Sequence, residues 1–136
     1  MSYETDQVRK FYEVIWNQHN RDAIPEVLHE NVKFRGSLGQ DKRGHSGFAE
    51  YLDMVHEALG EYQCTVDELV SEPGRVFAKM KFTGIHKGEF MGYLPTSKRV
   101  TWSGAALFTF AEGKVTDLWV LGDLKPLESQ LETNET

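Results

Sequence analysis

Between Arg75 and Asp123 the chain alternates hydrophobic and polar residues in three consecutive runs. In the first, Val76, Ala78, Met80 and Phe82 alternate with Phe77, Lys79, Lys81 and Thr83, a period of two that predicts a strand with one buried face. His86 falls on the buried parity. In the second, Val100, Trp102, Gly104, Ala106, Phe108 and Phe110 share a face, with Thr101, Ser103 and Thr109 opposite. After the turn signal Glu112-Gly113, the third run carries Val115, Asp117, Trp119, Leu121 and Asp123 on one parity and Leu118 and Val120 on the other. Both faces of this run are apolar, so alternation alone does not say which is buried. If Trp119 and Leu121 face inward, Asp123 comes to the inner rim of the surface that carries His86.

The N-terminal half follows helical spacing instead. Val8, Phe11, Tyr12, Ile15 and Trp16 form one continuous stripe on a helix, with Thr5 or Asp6 as its expected cap. Asp22 is expected to cap a short second helix that tolerates Pro25 near its start, with Ala23, Ile24, Val27 and Leu28 as its apolar side. Phe48, Tyr51, Leu52, Val55, Ala58 and Leu59 mark a third helix, capped by Ser46 and stopped by Gly60. His56 lies off that stripe and is expected in solvent.

Short strands complete the pattern. Val32 and Phe34 alternate with Lys33 and Arg35 before a glycine-rich, mobile stretch from Gly36 to Gly44. Tyr62, Cys64 and Val66 open another strand whose pattern slips by one residue, predicting a bulge near Asp67 or Glu68, and Pro73-Gly74 turns the chain. Residues 87–98 hold Phe90, Met91, Tyr93 and Leu94, a concentration of apolar groups that suggests a lid or pocket rim. Leu124, Leu127 and Leu131, with Pro126 in the first turn, predict a final helix followed by a frayed tail over residues 132–136. Helices first and strands afterwards predict an α+β domain, with helices on one face of a curved, mostly antiparallel sheet.

The 136 residues are enough for one domain with a sizeable core. The net charge of −6 repels phosphate backbones, and no basic run exceeds Lys42-Arg43 or Lys98-Arg99, so nucleic acid is not an expected partner. The single cysteine, Cys64, excludes an internal disulfide and suits core packing. With no membrane-length apolar run and no signal-peptide pattern at the start, the expected compartment is the cytoplasm. The five histidines are dispersed without metal-ligand spacing, and no nucleophile elbow, dinucleotide fingerprint or P-loop is present. Neither metal nor cofactor is therefore expected.

Several spaced segments resemble the SnoaL-like polyketide cyclases, also called ester cyclases, within the nuclear transport factor two-like superfamily. They are Val8 to Asn17, Thr83 to Gly92 with Pro95-Thr96, Val100 to Gly104, Gly113 to Val115, and Trp119 to Asp123. The resemblance implies a cone-shaped fold, a bent sheet wrapped by helices around an apolar pocket, and metal-free aldol ring closure with an acidic residue as acid and base. It carries that role to Asp123, with His86 as polar companion. The chain departs from the commonest pattern at Ile85, where threonine is frequent, and at Lys125-Pro126, where small or apolar residues are usual.

Each candidate also has a plainer role. Asp123 precedes the last helix and would cap it. His86 could polarise a carbonyl or simply bond to backbone at a strand end. Glu89 reaches a pocket mouth or is solvated. Phe34, Phe90, Met91, Trp102 and Trp119 line the implied pocket or belong to ordinary core. Three functions follow: a cofactor-free lyase or isomerase acting on a mostly apolar carbonyl compound, a non-enzymatic binder of such a compound, or an interaction module using its open sheet face. A cavity holding His86 and Asp123 favours the first, and a cavity with Asp123 turned out favours the second. A homodimer or larger homo-oligomer is expected, because Leu107, Leu118 and Val120 are read as lying on the sheet's outer face.

Overall fold

The stripe from Val8 to Trp16 is buried along its whole length. It forms helix α1 (Tyr3–Lys10), which widens into a π-helical turn at Phe11–Trp16. The computed structural model describes residues 2–135. The helix starts earlier than expected: the Ser2 hydroxyl accepts from the Thr5 amide, and the Thr5 side chain returns a bond to the Ser2 backbone. A 3₁₀ turn (Arg21–Ala23) and α2 (Ile24–Val27) follow, capped by Asn20 rather than Asp22, whose amide donates to the Asn20 side chain.

Six strands form one curved sheet: β1 (Leu28–Arg35), β2 (Asp41–Arg43), β3 (Leu59–Glu72), β4 (Arg75–His86), β5 (Arg99–Ala111) and β6 (Lys114–Gly122), in the order β2-β1-β6-β5-β4-β3. Among the described residues only β1 and β6 pair in parallel. β2 lies inside the stretch expected to be a mobile loop; it is too short to leave an alternation pattern. The expected bulge is present, as the β3–β4 register slips between Val66 and Glu68. Glu112 and Gly113 both take positive φ, the geometry that lets a tight turn follow the twist of its strands.

Helix α3 (Gly44–Ala58) has Arg43 at its N-cap position without a side-chain capping bond, so the expected Ser46 cap does not form. Its buried stripe of Phe48, Tyr51, Leu52 and Val55 packs with α1 and the π-helical turn on the inner face of the sheet. Phe48 is the hub: its ring centroid lies 5.4 Å from Phe11, 5.8 Å from Trp16 and 4.9 Å from Phe34. His56 is half-buried rather than solvated, stacked on His19 and Trp16, and its Nε2 donates to the Trp16 carbonyl at 2.7 Å. The final helix α4 runs Leu124–Asn134, through most of the expected tail. Thr136 lies outside the described residues.

The ambiguous strand β6 is resolved by its neighbour. Leu118 and Val120 are cross-strand partners of Phe108 and Ala106, which sit on the inner face of β5, and partners in register share a face. Leu118 and Val120 are therefore buried, while Trp119 and Leu121 are 44% and 48% exposed. This corrects the outer-face reading of Leu118 and Val120. The outward apolar residues are instead Val70, Phe77, Trp119 and Leu121, with Leu107 half-buried among them.

Candidate functional site

The inner face of the sheet, the π-helical turn and α3 enclose a narrow cavity. The helical elements contribute Phe11, Tyr12, Trp16, Tyr51 and Val55; the strands contribute Phe34, Tyr62, Phe82, Trp102 and Val120; the turn after β1 contributes Ser37 and Leu38. The space is about 20 Å³, room for roughly one water molecule. Phe82 and Trp102 pack 5.0 Å apart along one wall, and Trp16 and Tyr62 lie 5.2 Å apart along another. Small residues make these approaches possible. A side chain at Gly104 would meet the Phe82 ring at 2.5 Å, and one at Gly36 would meet the Tyr51 ring at 2.4 Å.

The polar groups in this wall are phenols, two indoles and a serine. Burial pushes the Tyr12 and Tyr62 phenols well above the ordinary range, and neighbouring Cys64 and Tyr51 push the same way. Burial also raises Tyr51, opposed by hydrogen bonding from Ser37 and the Leu38 backbone. These phenols stay neutral and keep their protons at neutral pH. The Tyr12 hydroxyl and the Trp102 Nε1–H are fully buried and find no hydrogen-bond partner among the described residues. No carboxylate, imidazole or amine is among the described residues that line the cavity.

Phe34 and Trp102 line this cavity. Phe90 is buried one ring further out, 6.1 Å from Trp102, and Met91 packs half-buried against the core beside it. Trp119 does not join them. It lies on the outer face, where the Arg35 guanidinium sits 5.7 Å from its ring centroid.

His86 is completely buried at the end of β4, but the cavity lining does not include it. Its Nε2 lies 3.2 Å from the Tyr93 carbonyl and its Nδ1 lies 3.3 Å from the Thr96 hydroxyl, so both ring nitrogens hold the segment 87–98. Asp123 follows the exposed parity of β6 and is itself exposed. Its amide donates to the Ser103 carbonyl at 2.8 Å, and it occupies the N-cap position of α4 without a side-chain capping bond. Glu89 is exposed. The expected meeting of His86 and Asp123 on one apolar wall thus required a parity of β6 that its register with β5 excludes.

The polar side chains that do meet, Tyr12, Tyr51, Tyr62, Ser37 and Trp102, come from elements distant in sequence. The hint in the sequence was Tyr12 and Tyr51, hydroxyl-bearing residues inside otherwise apolar helical stripes. Among the described residues no cluster of histidine, cysteine and acidic side chains is arranged to hold a metal ion. No described helix is long and apolar enough to cross a membrane.

Comparison with solved structures places the fold. A SnoaL-like polyketide cyclase from Agrobacterium tumefaciens superposes with a TM-score of 0.81 at 22% identity, covering 96% of this chain and 99% of that one. TsrD from Streptomyces laurentii gives 0.85 at 21% identity, covering 96% of each chain. An LEH-like epoxide hydrolase from M. tuberculosis shares the architecture at 14% identity with a TM-score of 0.76, covering 98% of this chain and 92% of that one. No curated protein matches the chain. The family model for the SnoaL-like polyketide cyclase matches residues 6–131, nearly the whole sequence. Together with the bent sheet and its enclosed aromatic cavity, that match makes this chain a member of the SnoaL-like polyketide cyclase family.

Proposed function

We propose that this domain binds a small, mostly apolar molecule in the cavity between the π-helical turn, α3 and the sheet. The observation that carries this reading is the lining itself: aromatic rings on every side, with a few hydroxyl and N–H groups set among them. Small-molecule sites have this composition, an apolar wall with sparse polar groups that fix orientation. A ligand of more than a few atoms needs the wall to open. The turn carrying Ser37 and Leu38 is the part of the lining that belongs to neither helix nor strand, and Gly39 within it takes a φ of +91°.

Binding without turnover is the better-supported form of this reading. Proton abstraction needs a base within hydrogen-bond reach of the reacting carbon's proton. The lining supplies phenols that hold their protons, while His86 is engaged through both nitrogens and Asp123 points to solvent. A thermal-shift screen of apolar aromatic and carbonyl compounds, with mass spectrometry of co-purified material, tests the proposal. Saturable stabilisation by such a compound, lost when Phe34→Asp fills the wall with a charge, supports it; a screen in which stabilising compounds act equally on that variant refutes it.

The outer face supports a second role. Val70, Phe77, Leu107 and Trp119 are successive cross-strand partners over β3, β4, β5 and β6, so they form one apolar row across the open sheet. Association of the domain with copies of itself through this row would bury it.

A further inference from the structure

Among the described residues two fully buried hydrogen-bond donors of the cavity wall have no partner, and they limit what the cavity can hold. Tyr12 is 2% exposed and Trp102 is 4% exposed, and neither the Tyr12 hydroxyl nor the Trp102 Nε1–H has a partner among the described residues. Buried polar groups are almost always paired, so an unpaired donor on a residue that lines a binding cavity marks the place of an acceptor on the bound molecule. The two donors enter from opposite layers. Tyr12 belongs to the π-helical turn, its ring edge-on to Phe108 at 5.9 Å, whereas Trp102 stands on the inner face of β5. Gly122 keeps the space beside the indole clear. A Cβ there would lie 3.3 Å from Trp102 Nε1 and only 2.7 Å from the Ser37 carbonyl.

Each group presents a hydrogen that needs an acceptor. An indole N–H can only donate. The Tyr12 phenol, with burial holding its proton, has no hydrogen-bond partner among the described residues. A ligand ammonium only donates, so it can satisfy neither the Tyr12 O–H nor the Trp102 N–H. A ketone, quinone or enol oxygen would satisfy these donors.

Resting on the small-molecule reading above, we infer that Tyr12 and Trp102 are its specificity-determining residues: they select an apolar ligand carrying a carbonyl-type oxygen acceptor and reject hydrocarbons and amines of the same shape. Leaving a buried donor unsatisfied is costly, so the acceptor matters more than its own bond would suggest.

The test uses two isosteric probes, acetophenone and α-methylstyrene, which differ by C=O against C=CH₂, with benzylamine as the donor-bearing control. Their affinities are measured on the parent, Tyr12→Phe and Trp102→Phe by ligand-observed NMR. Expected for the parent is a preference of about tenfold for acetophenone over α-methylstyrene, with benzylamine the weakest. Tyr12→Phe should shrink that preference several-fold while binding α-methylstyrene as well as the parent does. Trp102→Phe should shrink it too, which keeps the test valid if one variant fails to fold. Equal affinity of the parent for the two isosteres, or an unchanged preference in both variants, overturns the inference and leaves the pocket in place as a plain apolar site. Failure of all three probes to bind, where larger apolar compounds also fail, overturns the pocket reading and this inference with it.

Discussion

The ring of His86 donates through Nε2 to the carbonyl of Tyr93, 3.2 Å away. Because a carbonyl only accepts, this bond sets the tautomer and leaves Nδ1 to accept from the Thr96 hydroxyl. The His86 backbone adds its own pair, donating to Lys98 at 2.9 Å and accepting from Ser97 at 2.8 Å. One residue at the end of β4 thereby fastens the segment that buries Phe90 against Trp102. His86→Ala should cost about 2–4 kcal/mol, the sum of an emptied core volume and an orphaned carbonyl. Faster amide exchange confined to residues 87–98 would accompany it, and a melting temperature within error of the parent would show that the ring holds nothing.

Tyr12→Phe should stabilise the free protein. The hydroxyl is buried without a protein partner, so removing it relieves a desolvation cost and leaves the ring contacts with Phe11 and Phe108 in place. A gain of about 1 kcal/mol in urea unfolding is expected. A loss of similar size would reveal that the hydroxyl is firmly hydrogen-bonded, to water or otherwise.

Asp123→Asn should leave stability within about 0.5 kcal/mol of the parent, since the side chain is exposed and makes no capping bond. Ligand binding should also be unchanged. Should a substrate be found, a hundredfold or greater loss of turnover in this variant, in line with typical general acid–base contributions, would return Asp123 to the catalytic role that the family resemblance carries to it.

Sedimentation at micromolar concentration should show a dimer or larger assembly of the parent, and Trp119→Asp should shift it toward monomer. The substitution places a carboxylate at the β6 end of the apolar row, next to Leu107 on the neighbouring strand. A parent that sediments only as monomer would exclude self-association through this face.

Acid should weaken the fold partly through His56. Burial holds its pKa below the ordinary histidine value; the Trp16 carbonyl pulls it upward, His19 and Lys87 push it further down, and Asp53 opposes them. The folded state therefore resists a proton that the unfolded chain accepts from about pH 6.5 downward. Its contribution is complete above that pH and is lost as pH falls through the depressed folded value. Urea midpoints measured at neutral and mildly acidic pH should fall on acidification in the parent, and by less in His56→Phe. An equal fall in both would clear His56 of the effect.

The order of elements was legible in the sequence because it depends on local periodicity. The alternation in β4 and β5 and the helical stripes through Phe11 and Phe48 each name one buried face, and one face is all that an element needs to find the core. The family was legible for a related reason, as several short segments keep both their residues and their spacing. What the sequence left open is what depends on neighbours. In β6 both parities are apolar, and only pairing of Leu118 with Phe108 and Leu107 with Trp119 turned Asp123 outward. The polar half of the cavity was equally hidden. Tyr12, Tyr51, Tyr62 and Trp102 each sit in a stripe that reads as plain core, and their polar ends acquire meaning only when the π-helical turn, α3 and the sheet close around the same small space. Burial of a side chain can be read from its own segment, whereas the partner of its one polar atom is a property of the whole fold.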